Sequence, residues 1–228
     1  MLGISGCNTM TMTGNIVFED AAAYVVGLFP TLNLFEQRLS LELYRLLAEG
    51  EPVPRTKLAQ RLECAVEAVN DVLDGWPGVF SDDQQRVVGY WGLAIPTAYA
   101  SPHRVIIGSR RLSAWCAWDT LFLPQLLGQT TKIESTGPGG FTVHLTVTPE
   151  CVEHLDPVSI HMSFLQPDVA KVQKDVVSTF CHFVHFFPTR EAGQSWTARH
   201  SRTLLLSIED AYDLARRKNQ AQYRDVLL

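Results

Sequence analysis

Two short stretches carry side chains able to do chemistry. In AWCAWDTLFLPQLLG (114–128) a thiol, Cys116, precedes a carboxylate, Asp119, amid Trp115, Trp118, Leu121, Phe122 and Leu123. On a helix, positions i and i+3 share a face, so both groups can look into one cavity. Free cysteine is among the most buried residue types, and a core thiol beside a locally paired Asp is the plain structural reading. A carboxyl group desolvated among such rings does more: its pKa rises, and it can hold or relay a proton near neutral pH.

The second stretch is STFCHFVHFF (178–187). Read as a strand, it turns Cys181, Phe183, His185 and Phe187 to one face and Phe180, His182, Val184 and Phe186 to the other. Cys181 and His185 then line one site. Three readings stay open. One is a core strand with His185 hydrogen-bonded internally. Another is a zinc site from Cys181, His182 and His185, opposed by the short spacing, the split of the histidines between faces and the missing partner pair. The last is a Cys–His–Asp hydrolase, for which no nucleophile signature is present.

These residues need a scaffold. Leucines at helical spacing in LFEQRLSLELYRLLAEG (34–50) predict a helix stopped by Gly50. Thr56 is the expected cap of a short helix through Leu62, and a further helix is expected from Ala65 to Leu73, ending at Gly75. VFSDDQQRVVGYWGL (79–93) reads as two strands around a polar turn. Helices followed by a hairpin give a winged-helix pattern. Its recognition helix would carry Glu67, Asp71 and Asp74 with no Lys or Arg, which argues against DNA.

Downstream, a helix over 111–128, broken or kinked at Pro124, is expected. TKIEST (131–136), FTVHLTVTP (141–149) and SIHMSFL (159–165) alternate like strands, with GPGG (137–140) as a hairpin turn. A helix over 168–180 feeds the strand CHFVHFF. The tail from 207 to 228 is helical with Ser207 as cap, and its basic run ARRKN (215–219) reads as a solvated face. The expected class is α+β: a flexible tail (1–15), a helical winged-helix-like domain (16–95), then a mixed β-sheet domain with flanking helices (96–228).

The chain has 228 residues, is 46% hydrophobic and 19% charged, and carries a net charge of −5. It can bury a sizeable core and has no dominant basic face for nucleic acid. No apolar run approaches the ~20 residues that cross a bilayer. ISGC (4–7) looks a little like a lipoprotein cleavage site but is not expected to be one, being too close to Met1 for a charged region and an apolar core ahead of Cys7. A cytoplasmic protein is expected. Its five cysteines (Cys7, Cys64, Cys116, Cys151 and Cys181) are expected to be mostly free thiols.

Taken together, LSAWCAWDTLFLPQLLG (112–128) and STFCHFVHFF resemble the alkylmercury lyase (organomercurial lyase) family. That family has a Trp–Cys pair followed three residues later by Asp, then a second cysteine in an FC…HFF strand. The resemblance extends to EPVPRTKLAQRL (51–62), to FTVHLTVTP and, more weakly, to LLLSIEDAYDLARRKNQ. It covers roughly residues 35–220. His182 stands where some relatives have a second adjacent cysteine, IESTGPGG lacks an extra cysteine that some carry, and Cys7, Cys64 and Cys151 are unmatched.

The resemblance implies protonolysis of a carbon–mercury bond, giving a hydrocarbon and Hg(II). It places Cys116, Asp119 and Cys181 at the reaction: Cys181 attacks first, Cys116 second, and Asp119 moves a thiol proton to carbon and helps hold Hg(II). Soft thiolates are the natural ligands of this soft cation. Trp115, Trp118 and His185 are the expected pocket residues. No organic cofactor is implied. External cellular thiols are needed for turnover, and a mercuric reductase is an expected recipient of Hg(II). The alternative is a non-catalytic soft-metal-binding or metal-responsive regulatory protein, or a copper-binding relative, whose methionine ligands are not evident.

Overall fold

A computed structural model describes Phe29, residues 31–166 and residues 175–227. The expected tail over 1–15, the helical spacing near Phe18 and the part of the expected helix over 168–174 lie outside these residues.

Helix α1 (Leu34–Leu47) opens with a capping box: the Asn33 side chain accepts the Glu36 N–H, and the Glu36 carboxylate accepts the Asn33 N–H. Leu39, Leu41, Leu43, Leu46 and Leu47 are buried in the core, whereas Leu34 at its start is exposed. Helix α2 (Arg55–Arg61) follows Pro54 and has no side-chain cap. The expected Thr56 cap therefore falls inside the helix, because proline at φ −64° already sets the entry geometry. Helix α3 (Val66–Gly75) leads to a hairpin of β1 (Val79–Ser81) and β2 (Val87–Tyr90). Asp82 organises its turn by accepting the Gln84 and Arg86 N–H groups.

The hairpin runs on into the main sheet. Strand β3 (Leu93–Ala94) pairs with β2 on one side and with β5 (Arg110–Ala114) on the other. With β4 (His103–Ile107), β6 (Thr131–Thr136), β7 (Thr142–Val147) and β8 (Val152–Asp156), they form one eight-stranded antiparallel sheet in the order β1-β2-β3-β5-β4-β6-β7-β8. The β6–β7 hairpin closes through the expected glycine turn, where the Gly137 N–H donates to the Phe141 carbonyl. A second sheet places β9 (His161–Leu165) between β10 (Phe186–Phe187) and β11 (Thr203–Ser207).

Among the described residues, this half also carries the helices α4 (Asp119–Leu127), α5 (Val176–Thr179), α6 (Arg190–Thr197) and α7 (Ile208–Gln222). Ser207 caps α7 as expected, accepting the Asp210 N–H.

Sequence reading errs in three places here. The expected helix over 111–128 is a strand, a tight turn and then α4, because RRLSA is claimed by pairing with both β3 and β4. Pro124 lies inside α4. The expected strand 181–187 is a 3-10 turn (Cys181–Phe183) followed by a two-residue strand, so Cys181 and His185 do not share a pleated face. ARRKN is not a solvated face: Ala215, Lys218 and Asn219 are buried, with Leu214 and Gln222 on the same inner stripe of α7.

Trp118 is the hub that joins the layers. Its ring meets Phe122 at 5.4 Å, Phe164 at 5.4 Å and Phe180 at 6.4 Å, and its indole N–H donates to the Ala211 carbonyl at 3.1 Å. Trp118→Ala is expected to cost about 3–5 kcal/mol of stability, measurable by denaturant unfolding. A loss under 1 kcal/mol would mean these layers are held together elsewhere.

Candidate functional site

The site is built where β5 ends. The chain bends at Trp115 and Cys116 and enters α4 at Asp119. The carboxylate folds back over this bend: the Cys116 N–H donates to Asp119 Oδ2 at 2.7 Å. Spacing of i and i+3 thus brings thiol and carboxyl together, though through the tight turn before α4 and not along a helix face.

The second thiol arrives from the other sheet. The Ala117 N–H donates to the Val184 carbonyl at 3.3 Å, tying the Cys116 turn to the Cys181 segment. Ser163 on β9 pins that segment: its hydroxyl donates to the Phe183 carbonyl at 2.9 Å and accepts the His185 N–H at 3.0 Å. As a result Cys116 Sγ, Cys181 Sγ and a carboxylate oxygen of Asp119 all lie within 4.8 Å of one another, and all three residues are buried. Cys64 is also a free thiol, but it stands apart from this cluster. Cys151 is disulfide-bonded.

Burial shapes the chemistry of the trio. It pushes the Asp119 carboxyl up to about 6, against hydrogen bonds from Cys116 and the charge of Lys218, which act to lower it. Burial likewise drives the Cys116 thiol well above its ordinary value, helped by Cys181 and Asp119. At Cys181 the hydrogen bond with Cys116 pulls downward, but burial and the charge of Asp119 prevail, so this thiol too is raised. Both sulfurs rest as thiols, beside a carboxyl group poised near neutrality. Such a set can take a proton from sulfur, hold it in a dry place and return it to another atom, while two soft sulfurs grip one soft cation.

Gly92 is what makes room for the carboxylate. Its φ is +89°, and a Cβ there would lie 2.7 Å from Asp119 Cγ and Oδ1. The same residue accepts the Trp115 N–H at 3.1 Å. Gly92→Ala is expected to displace the carboxyl group and lower turnover at this site about 100-fold in kcat/KM. Wild-type turnover would show that the carboxylate tolerates the shift.

The pocket candidates separate. Trp115 is buried against Phe80 at 5.0 Å, and its indole N–H has no hydrogen-bond partner among the described residues. Trp118 is the core hub described above. His185 is outside the trio: its Nε2 pairs with the His182 carbonyl at 2.8 Å and its ring stands edge-on to Trp196. Burial lowers its pKa to about 4, so it is neutral.

Several contributors were not visible in the sequence. Gly92 lies in the unremarkable run GYWGL, Ser163 inside a strand, and Lys218 in a basic run. Tyr99 stands beside the trio, its phenol pKa raised by burial and then by Cys181, Asp119 and Cys116. Only the apposition of β3, β9 and α7 with the turn reveals them.

Residues 97–220 match the family model for alkylmercury lyase, MerB. An alkylmercury lyase of Staphylococcus epidermidis is 41% identical over 175 residues, spanning 76% of this chain and 78% of that protein. Alkylmercury lyases of Bacillus cereus (36% identical over 175 residues, 76% of this chain, 77% of that protein) and Pseudomonas putida (35% over 177, 77% and 80%) are also similar. Among solved structures, the mercury-bound form of MerB2 superposes with a TM-score of 0.69 at 20% identity, covering 90% of this chain and 99% of that one. This last likeness speaks for the fold.

Proposed function

The chain belongs to the alkylmercury lyase family, and from that premise we propose that it cleaves carbon–mercury bonds by protonolysis, with Cys116, Cys181 and Asp119 as the reacting groups. The observation that carries this is the convergence of two buried thiols and one buried carboxyl group within 4.8 Å.

An organomercurial, R–Hg–S, exchanges its external thiolate for that of Cys181, and the Cys181 proton leaves with the displaced thiol. The Cys116 thiol gives its proton to the Asp119 carboxylate and joins the mercury as a second thiolate. Electron density from two sulfurs polarises the carbon–mercury bond. Asp119 then delivers its proton to carbon as the bond breaks, the hydrocarbon departs, and Hg(II) stays on the two sulfurs beside an ionised Asp119. A carboxyl group with a pKa near 6 suits both halves of this relay. The order of attack, Cys181 before Cys116, is carried over from the family.

Trp115 is the pocket candidate best supported by its position next to Cys116, as an apolar wall for R. The chemistry asks for no organic cofactor. Hg(II) on two thiolates exchanges onto other thiols, so small cellular thiols, or those of a mercuric reductase, complete the cycle. A thiol-rich cytoplasm suits this demand, and no helix among the described residues is long and apolar enough to cross a membrane. The winged-helix-like segment is read as a buttress, with α1 and β3 backing the site, and nucleic acid is not a partner.

Incubation with phenylmercuric acetate and excess thiol tests the proposal. Catalytic release of benzene is the expected result. Tight mercury retention with no benzene, for phenyl and methyl substrates alike, would replace the enzyme with a metal-binding protein.

A further inference from the structure

Lys218 is the one buried Lys or Arg among the described residues, 1% exposed. No carboxylate of the described residues forms an ion pair with it. Its ammonium is held 4.0 Å from the Phe122 ring centroid, 4.8 Å from Phe29 and 5.2 Å from Tyr223, and it donates to Asn219 Oδ1 at 3.2 Å. Asn219 in turn bolts α7 to α4, its amide donating to the Phe122 carbonyl at 3.0 Å and to Gln125 Oε1 at 2.9 Å. Phe122 lies one turn of α4 beyond Asp119. The ammonium is therefore fixed beside the helix that carries the site's carboxyl group.

Burying an ammonium costs several kcal/mol unless another charge offsets it. An aromatic box with one amide oxygen recovers part of this. Burial pulls the Lys218 pKa down to about 7, and among the described residues Asp119 is the charge that opposes this and favours the ammonium. Packing alone gives no reason for a lysine where leucine or methionine would fill the same space.

We propose that Lys218 is a positioning residue of the carbon–mercury cleavage site, its fixed ammonium offsetting the negative charge that the trio carries through the reaction. This rests on the protonolysis reading above. Capture of a neutral R–Hg–thiolate by Cys181 exchanges one thiolate for another and creates no charge. When the Cys116 proton passes to Asp119, the charge moves from carboxylate to a mercury bearing R and two thiolates. When the proton passes to carbon, the C–Hg bond breaks, the Hg–dithiolate is neutral and the charge returns to Asp119. One negative charge migrates inside a dry pocket, and a nearby cation that does not move steadies it without reorganisation. Lys218 touches none of the reacting atoms.

The test compares Lys218→Met, Lys218→Gln and the wild type for benzene release from phenylmercuric acetate with excess thiol, alongside Tm. Both neutral variants are expected to stay folded with Tm equal to or above wild type. Their kcat should fall roughly 10- to 100-fold, less than the loss of a donor touching the reacting atoms, while KM is unchanged. A folded neutral variant with wild-type kcat overturns the proposal. So does a loss of Tm in both variants, or a fall in kcat and KM that simply tracks Tm, since either makes Lys218 a packing residue. Failure of the wild type to release benzene would sink the protonolysis reading itself, a result separate from these.

Discussion

Asp119→Asn is expected to abolish most hydrocarbon release, by about 10²- to 10⁴-fold, the usual worth of a positioned general acid–base group. Mercury capture by Cys181, which passes no proton to Asp119, should survive. The amide oxygen can still accept the Cys116 N–H, so the turn keeps its geometry, but the amide can neither take the Cys116 proton nor give one to carbon. The same variant should change stability in a defined direction. Asp119 is raised from 3.8 to about 6, chiefly by burial. A raised acid favours its protonated form when folded, so its contribution is fully present below pH 3.8 and is lost as pH rises through 6. Asp119→Asn lacks this loss. It should be more stable than the wild type at pH 8, with the gap closing towards pH 4, as followed by thermal unfolding. An aspartate kept at a position where an amide is more stable is what a functional site looks like. Wild-type benzene release by the variant would remove Asp119 from the reaction.

Cys116→Ser and Cys181→Ser carry the second large effect. Serine is nearly isosteric, but its hydroxyl is a hard donor and stays protonated where a thiol can ionise, so one soft ligand of mercury is lost. Each single variant should lose on the order of 10³-fold or more in kcat/KM. The double variant should lose little beyond either, because residues that act as a unit are not additive. Cys64→Ser, remote from the cluster, is the control and should match wild type. Independent, additive losses at Cys116 and Cys181 would mean that the sulfurs do not share one mercury.

Much of this was legible in the sequence, and the failures have physical causes. Strands β6 and β7 alternate cleanly because one face of each is buried, and the glycines of GPGG fix the turn between them. The trio was legible from residue types: a thiol and a carboxylate among indoles, and a second thiol among phenylalanines. Its geometry was not. Residues 115–127 are almost all buried, so no amphipathic period marks where β5 ends and α4 begins. Cys181 sits in a 3-10 turn because Ser163 and Val184 tie it down, contacts made across the fold. Lys218 and Gly92 were invisible for the same reason. A buried ammonium looks like any surface lysine in a run of charge, and a glycine facing a carboxylate looks like any turn glycine. Local pattern reports which residues can do chemistry, whereas tertiary contact decides which face, turn and neighbour each receives.

Two thiols and one carboxyl group should act together on a single mercury. A single turnover tests it most directly: stoichiometric phenylmercury with no external thiol, benzene counted, then X-ray absorption at the mercury edge. About one benzene per chain is expected from the wild type, with Hg(II) left on two sulfurs. Asp119→Asn should bind mercury without releasing benzene. Benzene from the Cys116→Ser/Cys181→Ser double variant at the wild-type rate, or a retained mercury with a single sulfur ligand in the wild type, would contradict it.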